Sequence, residues 1–246
     1  MKETLNSTNC LNCGAELTGP ICAQCGQKKA LPISVKQLFK NFWTQLLELD
    51  FRVFHTIKML AISPGLLPKN YIEGRRQPYT NPFKLLFFVS TFYFLVLTFF
   101  DVSASFSPED KETSKAVGAF LNYLIYLFLA PTALFLSWIF KSEKYNWSEC
   151  YVTVCYWWSG YLLIGSILAI ALQFYDQYFA MTRVVVGLLY ILFAINQMFS
   201  LNIIALILKT LVFYISYYLS TFLVMGIVIT LAYLIQFKPL MIAMPK

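Results

Sequence analysis

Four cysteines near the start of the chain carry the clearest chemistry in the sequence. Residues 10–26 read CLNCGAELTGPICAQCG, two C-x2-C-G units with eight residues between Cys13 and Cys22. Paired thiolates at this spacing can turn round a single ion, and the glycine after each second cysteine, Gly14 and Gly26, has the permissive backbone that lets amides point at sulfur. Cys10, Cys13, Cys22 and Cys25 would together close a tetrahedral shell of sulfurs. A closed shell leaves no position for water, so a zinc ion held there is structural rather than catalytic. Two other chemistries use such residues: a redox C-x2-C, which requires a surrounding βαβ pattern, and an iron site of rubredoxin type with the same four sulfurs. Lys28 and Lys29 follow at once, either offsetting the charge of a tetrathiolate centre or forming a solvated linker.

Elsewhere the residues of catalysis are sparse. The one histidine, His55, sits beside an apolar stripe with no cysteine or second histidine at helical spacing. The apolar runs contain no Asp, Glu or His in their interiors, where an intramembrane hydrolase or a proton-coupled carrier would place them. Glu149 and Asp176 fall at run ends. Cys150 and Cys155 are off one helical face from each other and read as small buried residues. Asn122, Ser137, Ser159, Ser216, Ser220 and Thr221 are expected to bond to neighbouring helix backbone rather than to substrate.

The elements that position these groups belong in a bilayer. The 246 residues are 59% hydrophobic and 13% charged, whereas a soluble domain carries about 25% charged residues. Apolar runs long enough to cross a hydrocarbon core predict an all-α polytopic bundle of about five spans, near Phe83–Phe100, Ala116–Phe140, Cys150–Phe174, Phe179–Gln197 and Ile203–Ile235. Lys209 should mark the start of the last one by snorkelling. Residues 1–84 hold 11 Lys or Arg against 5 Asp or Glu, so the N-terminal third is the basic, water-facing part. Beside a bilayer such a segment reads as a topology determinant and a contact for anionic headgroups rather than as a nucleic-acid site. No apolar stretch of signal-peptide type is seen in the first 32 residues, which places the N-terminus in the cytoplasm. In that reducing compartment the cysteines read as metal ligands.

The chain divides into a ribbon over 1–30, an interfacial segment over 31–62, an elbow over 63–82 and a bundle over 83–246. Ser34 as N-cap with Gln37 three residues on opens an amphipathic helix of about 27 residues. Its interspersed charges make it lie on the inner interface or dock against the bundle. The elbow, SPGLLPKNYIEGRRQPYTNP and onward, breaks the helix at Pro64, Gly65 and Pro68. It then combines Tyr71, Arg75, Arg76, Tyr79 and Lys84, a set suited to lipid headgroups; the plainer reading is a rigid turn with positive-inside anchors. Flanking charge puts the 69–84 segment inside and DVSASFSPEDKETSK outside, and the C-terminus comes out extracytoplasmic. Arg183, at the outer end of the fourth span, disagrees with that pattern, as do Lys238 and Lys246. KYNWSECYVTVCYWWSGYLL is echoed by MFSLNIIALILKTLVFYISYYL, which suggests stacked hairpins.

Taken together, CLNCG, ICAQCGQ, SPG, YIEGRR and NPF resemble a family of bacterial zinc-ribbon, multi-pass inner-membrane proteins of unknown function. The resemblance covers residues 10–100 with specific motifs and implies an inward-facing ribbon and a bacterial cytoplasmic membrane. It implies no activity. The leading expectation is a non-enzymatic scaffold or adaptor that presents the ribbon to a cytoplasmic protein partner. A lipid or small-solute transport component comes next, and an enzyme third.

Overall fold

The computed structural model describes residues 8–45, 51–100, 102, 126–172 and 176–234. Among them there is no strand. Two isolated bridges, Asn9 with Glu16 and Ile21 with Lys28, close the two cysteine turns. The rest is helical: α1 Val35–Gln45, α2 Arg52–Ile62, α3 Leu66–Ile72, α4 Pro82–Phe99, α5 Tyr126–Ile139, α6 Trp147–Ala171, α7 Asp176–Phe199 and α8 Ile203–Leu234.

Four of these helices, α4, α6, α7 and α8, are long and apolar enough to cross a membrane. The span expected over 116–140 is described only from Tyr126 onward, and this part stays at one end of the bundle. The Tyr126 hydroxyl donates to the Phe83 carbonyl in the first turn of α4 (3.0 Å), and Trp147 Nε1 donates to the Ala130 carbonyl (3.2 Å). Phe140, just past α5, stacks on Phe199 with ring centroids 3.7 Å apart. The N-termini of α4, α6 and α8 and the C-terminus of α7 therefore meet at one end, where the ribbon also sits. At the far end Val96, Val102, Ala169 and Phe179 form a small separate cluster.

Local sequence accounts for the helix starts. Asn81 caps α4 by accepting from the Phe83 amide (2.9 Å), and Pro82 occupies the first turn, where no amide is needed. Asn146 and Glu149 form a capping box on α6. The sequence echo between α6 and α8 has a geometric counterpart at their starts. Lys144 and Ser200, each two residues ahead of a capping Asn, take φ of 55° and 48°, and Asn202 accepts from the Ala205 amide (2.9 Å).

The expected interfacial helix is described as α1 and α2, with residues 46–50 outside the described set. Of its two expected placements, docking is the one seen. Leu38, Phe42 and Leu60 are buried in the main core, and the buried Tyr190 hydroxyl donates to the Leu60 carbonyl (3.4 Å). Phe51 and Phe54 point outward, 83% and 74% exposed. The elbow is partly helical, because Pro68, expected as a helix breaker, sits within α3, in the first turn, where proline is tolerated. Gly65 is required by close approach: a Cβ there would run into the Ala194 carbonyl and the Met198 amide of α7. Gln197 closes this joint, accepting from the Gly65 amide (3.1 Å) and donating to the Ile62 carbonyl (3.4 Å).

Candidate metal centre and its seat

Each cysteine pair lies on a tight turn. The Gly14 amide donates to the Cys10 carbonyl (2.8 Å) and the Gly26 amide to the Cys22 carbonyl (2.9 Å), with φ of 80° and 71° at the glycines. This left-handed backbone is the one the sequence anticipates at Gly14 and Gly26. The four Sγ atoms lie within 4.8 Å of one another, and Cys10 to Cys25 and Cys13 to Cys22 are each 3.6 Å. Sulfurs bonded at about 2.3 Å to one tetrahedral ion stand roughly 3.8 Å apart, so the set fits a single four-sulfur ion. The Gln27 amide holds the Cys25 thiol down at about 6. The Cys25 and Gln24 amides lower Cys22. At Cys13 the Ala15 amide also lowers, but burial and the neighbouring thiols leave it raised to about 12. Amides aimed at sulfur favour thiolate, the form a metal binds.

The ribbon is seated by a residue that sequence reasoning left unassigned. Gln27, 5% exposed, donates from Nε2 to the Gly74 carbonyl (2.9 Å), and its Oε1 accepts from the amides of Arg76 and Gln77 (3.0 Å each). All three elbow groups are thereby satisfied by the side chain that follows the second cysteine turn. Gly74, with φ of 105°, lies under the ribbon, and a Cβ there would clash with Leu11 and press on Ala30. The G-R-R-Q segment is thus the seat of the cysteine module. The sequence signal was available in the C-G-Q run and in the glycine of Y-I-x-G-R-R, but nothing local connects residues 47 apart.

The proposed headgroup set does not share one surface. Tyr71 and Tyr79 are buried, and Lys84 is only 2% exposed. Tyr71 packs edge-on against Tyr156 of α6, and Tyr79 stacks with His55. Arg76 is half-buried, donates to the Tyr71 carbonyl (3.2 Å) and lies over the Tyr71 ring at 5.6 Å. Burial lowers its pKa, against the pull of Tyr71, Tyr156 and Glu149. Arg75 alone of the set is exposed. Tyr71 and Tyr79 are thus packed against α6 and α2, while the neighbouring Arg75 stays exposed.

Within the bundle, Cys150 and Cys155 are buried as expected. Ser137, Ser159, Ser216, Ser220 and Thr221 donate to carbonyls three or four residues back in their own helices rather than to neighbouring ones; Asn122 lies outside the described residues. Lys209 reaches back over the Phe140 ring at 4.5 Å.

The fold and site define a class: a polytopic helical membrane protein with a four-cysteine cluster able to hold a metal ion, seated on one end of the bundle. Residues 50–94 match a family described as Protein of unknown function (DUF3667). This is α2, the elbow and most of α4, the part that packs the ribbon onto the bundle. No curated protein and no solved structure matches the chain.

Proposed function

We propose that the protein is a membrane-embedded scaffold or adaptor in which a structural zinc ribbon, fixed on the cytoplasmic end of a bacterial inner-membrane bundle, presents a surface to a soluble partner. The observation that carries this reading is the Gln27 seat, since three hydrogen bonds to the elbow backbone at Gly74, Arg76 and Gln77 hold the ribbon in one orientation. A recognition surface gains affinity from being pre-organised. The thiolates would hold zinc and leave it no open position, so the ion supplies folding energy rather than reactivity. Exposed Ile21 and Leu31 on the ribbon side, beside the exposed Lys28, Lys29 and Arg75, offer an apolar and basic face. The test is cross-linking in native membranes followed by purification of the intact chain. A soluble partner recovered at about one per chain from wild type, and lost from Cys22→Ser/Cys25→Ser, supports the scaffold; a partner recovered equally from both, or none, refutes it.

One observation favours a second reading, a lipid or small-solute transport component: α7 carries an arginine, Arg183, inside the bundle. Such residues usually mark a ligand path or an interhelical pair. Phosphate-dependent flux in proteoliposomes would distinguish this reading from an anchoring role.

A further inference from the structure

Arg183 lies in the half of the bundle away from the ribbon and is held by two other helices, α4 and α6. Its Nη1 donates to the Tyr93 hydroxyl of α4. The guanidinium carbon stands over the Tyr161 ring of α6 at 5.9 Å and over Phe179 of its own helix at 5.7 Å. Tyr217 of α8 is within electrostatic reach. Two glycines make room for these rings. A Cβ at Gly187 would run into Tyr161, and one at Gly165 would press on Tyr93 and meet Arg183 Cδ at 3.7 Å. The sequence thus leaves side chains out on α6 and α7 to bring aromatic faces round one cation.

The cluster is short of acceptors. Arg183 Nε is buried without a hydrogen-bond partner, and so is Nε1 of Trp158, whose ring touches Tyr161 at 5.0 Å and Tyr217 at 4.4 Å. Among the described residues no carboxylate pairs with Arg183. Aromatic faces attract a guanidinium but do not accept the in-plane N–H bonds that a planar fork directs outward. A buried donor without a partner is costly in a medium that lacks water. Gly165, level with Arg183, is six residues from the end of α6 at Ala171, which is about 9 Å of helix rise. That depth lies within reach of a headgroup phosphate in the adjacent leaflet. Arg183 as a whole is only half-buried although its Nε is covered, so part of the side chain stays open to the surroundings of the bundle.

We propose that Arg183, walled by Tyr93, Tyr161 and Phe179, binds a phosphate group in the half of the bundle opposite the ribbon. The phosphate is carried by a phospholipid of that leaflet or taken up as the free anion, and its oxygens accept from the part of the guanidinium that the aromatic wall leaves open. The inference does not depend on the scaffold reading, because it concerns the other end of the molecule. It adds a ligand to a bundle that otherwise only anchors.

The test uses the full chain. Wild type, Arg183→Gln, Arg183→Lys and Tyr93→Phe are purified in mild detergent, and retained phosphatidylglycerol is counted by native mass spectrometry. In parallel, each is reconstituted in phosphate-free galactolipid and titrated with inorganic phosphate while tryptophan emission is followed. Retention by wild type, weakened about thirtyfold in Arg183→Lys and Arg183→Gln, is expected if a charged hydrogen-bonded pair of roughly 2 kcal/mol is lost. Tyr93→Phe keeps the guanidinium and should retain the ligand. A response only to phosphatidylglycerol identifies the lipid as source, and a saturable response to inorganic phosphate identifies the free anion. Equal retention in wild type and Arg183→Lys, or no response to either probe in wild type, overturns the proposal. The Lys variant preserves the charge while removing the planar fork, so this result can be read even if the Gln variant fails to fold.

Discussion

At the scale of single residues, the side chains that join distant parts of the chain decide the architecture. Gln27 and Gln197 each bond backbone groups far away in sequence, one fixing the ribbon to the elbow and the other fixing the Pro64–Gly65 turn to α7. Gly65→Ala tests the second joint. The added methyl group meets backbone on α7, which cannot move aside as a side chain can. The variant should lose about 1–3 kcal/mol as an overpacked core site and melt several degrees lower in detergent. Gly19→Ala, where a Cβ would meet nothing within 4 Å, should melt with wild type and serves as the control. A Gly65→Ala chain as stable as wild type would mean that the turn is not packed on α7. The residue scale is also where the sequence was least legible. Tyr71, Tyr79 and Lys84 carry one signature whether they face headgroups or lie beneath a docked domain, and burial depends on what covers them. Gln27 drew no assignment because its partners are brought to it only by folding.

At the scale of elements, turns and caps were readable because their causes are local. The glycine turns after the cysteine pairs and the N-P-F start of α4 are found where they were expected, and the Asn-led starts of α6 and α8, which sequence reasoning passed over, also follow from adjacent residues. The two left-handed residues before those Asn caps give a prediction. Ser200 holds a φ of 48°, a conformation costing a non-glycine residue roughly 1 kcal/mol. Ser200→Gly should therefore raise the melting temperature slightly, while Gly14→Ala and Gly26→Ala, at φ of 80° and 71°, should weaken the ribbon. A lowered melting temperature for Ser200→Gly would show that its side chain contributes more than the backbone costs. The ribbon gives a second prediction at this scale. Elemental analysis should find one metal ion per chain, lost from Cys22→Ser/Cys25→Ser, with the helical circular dichroism of the bundle retained. Metal unchanged in that double variant would remove the four-sulfur assignment.

For the whole molecule, the hydrophobic runs gave α4, α6, α7 and α8 nearly in register, since length and apolarity are properties of a segment. The run over 116–140 behaved differently. Its described part, α5, lies across the ribbon end against Phe83, Trp147 and Phe199 instead of along the bundle, and composition cannot separate a crossing helix from one capping an end. Sidedness follows from flanking charge alone, and it can be checked. An impermeant thiol reagent applied to intact cells should fail to reach Arg75→Cys and Lys144→Cys, both exposed at the ribbon end, and should label a cysteine placed at Ser107. The opposite pattern would invert the orientation. Arg183 was noticed in the sequence only as a breach of the charge rule. Its aromatic cage, drawn from α4, α6 and α7, exists only once those helices pack.

Once the four cysteines hold an ion, the seat made by Gln27 would also tie the lifetime of the protein to the supply of metal. The second cysteine turn positions Gln27, so a chain without its ion leaves the Gly74 carbonyl and the Arg76 and Gln77 amides without partners, in a strand of backbone at the water-facing edge. An unsatisfied, unfolded stretch of that kind is what cellular proteases engage. Starving cells of metal should then shorten the half-life of the wild-type protein in pulse-chase, with the first cuts near residues 74–77. Gln27→Ala, already unlatched, should turn over quickly in replete and starved cells alike. If starvation leaves the wild-type half-life unchanged, the ribbon and the elbow are not coupled in this way.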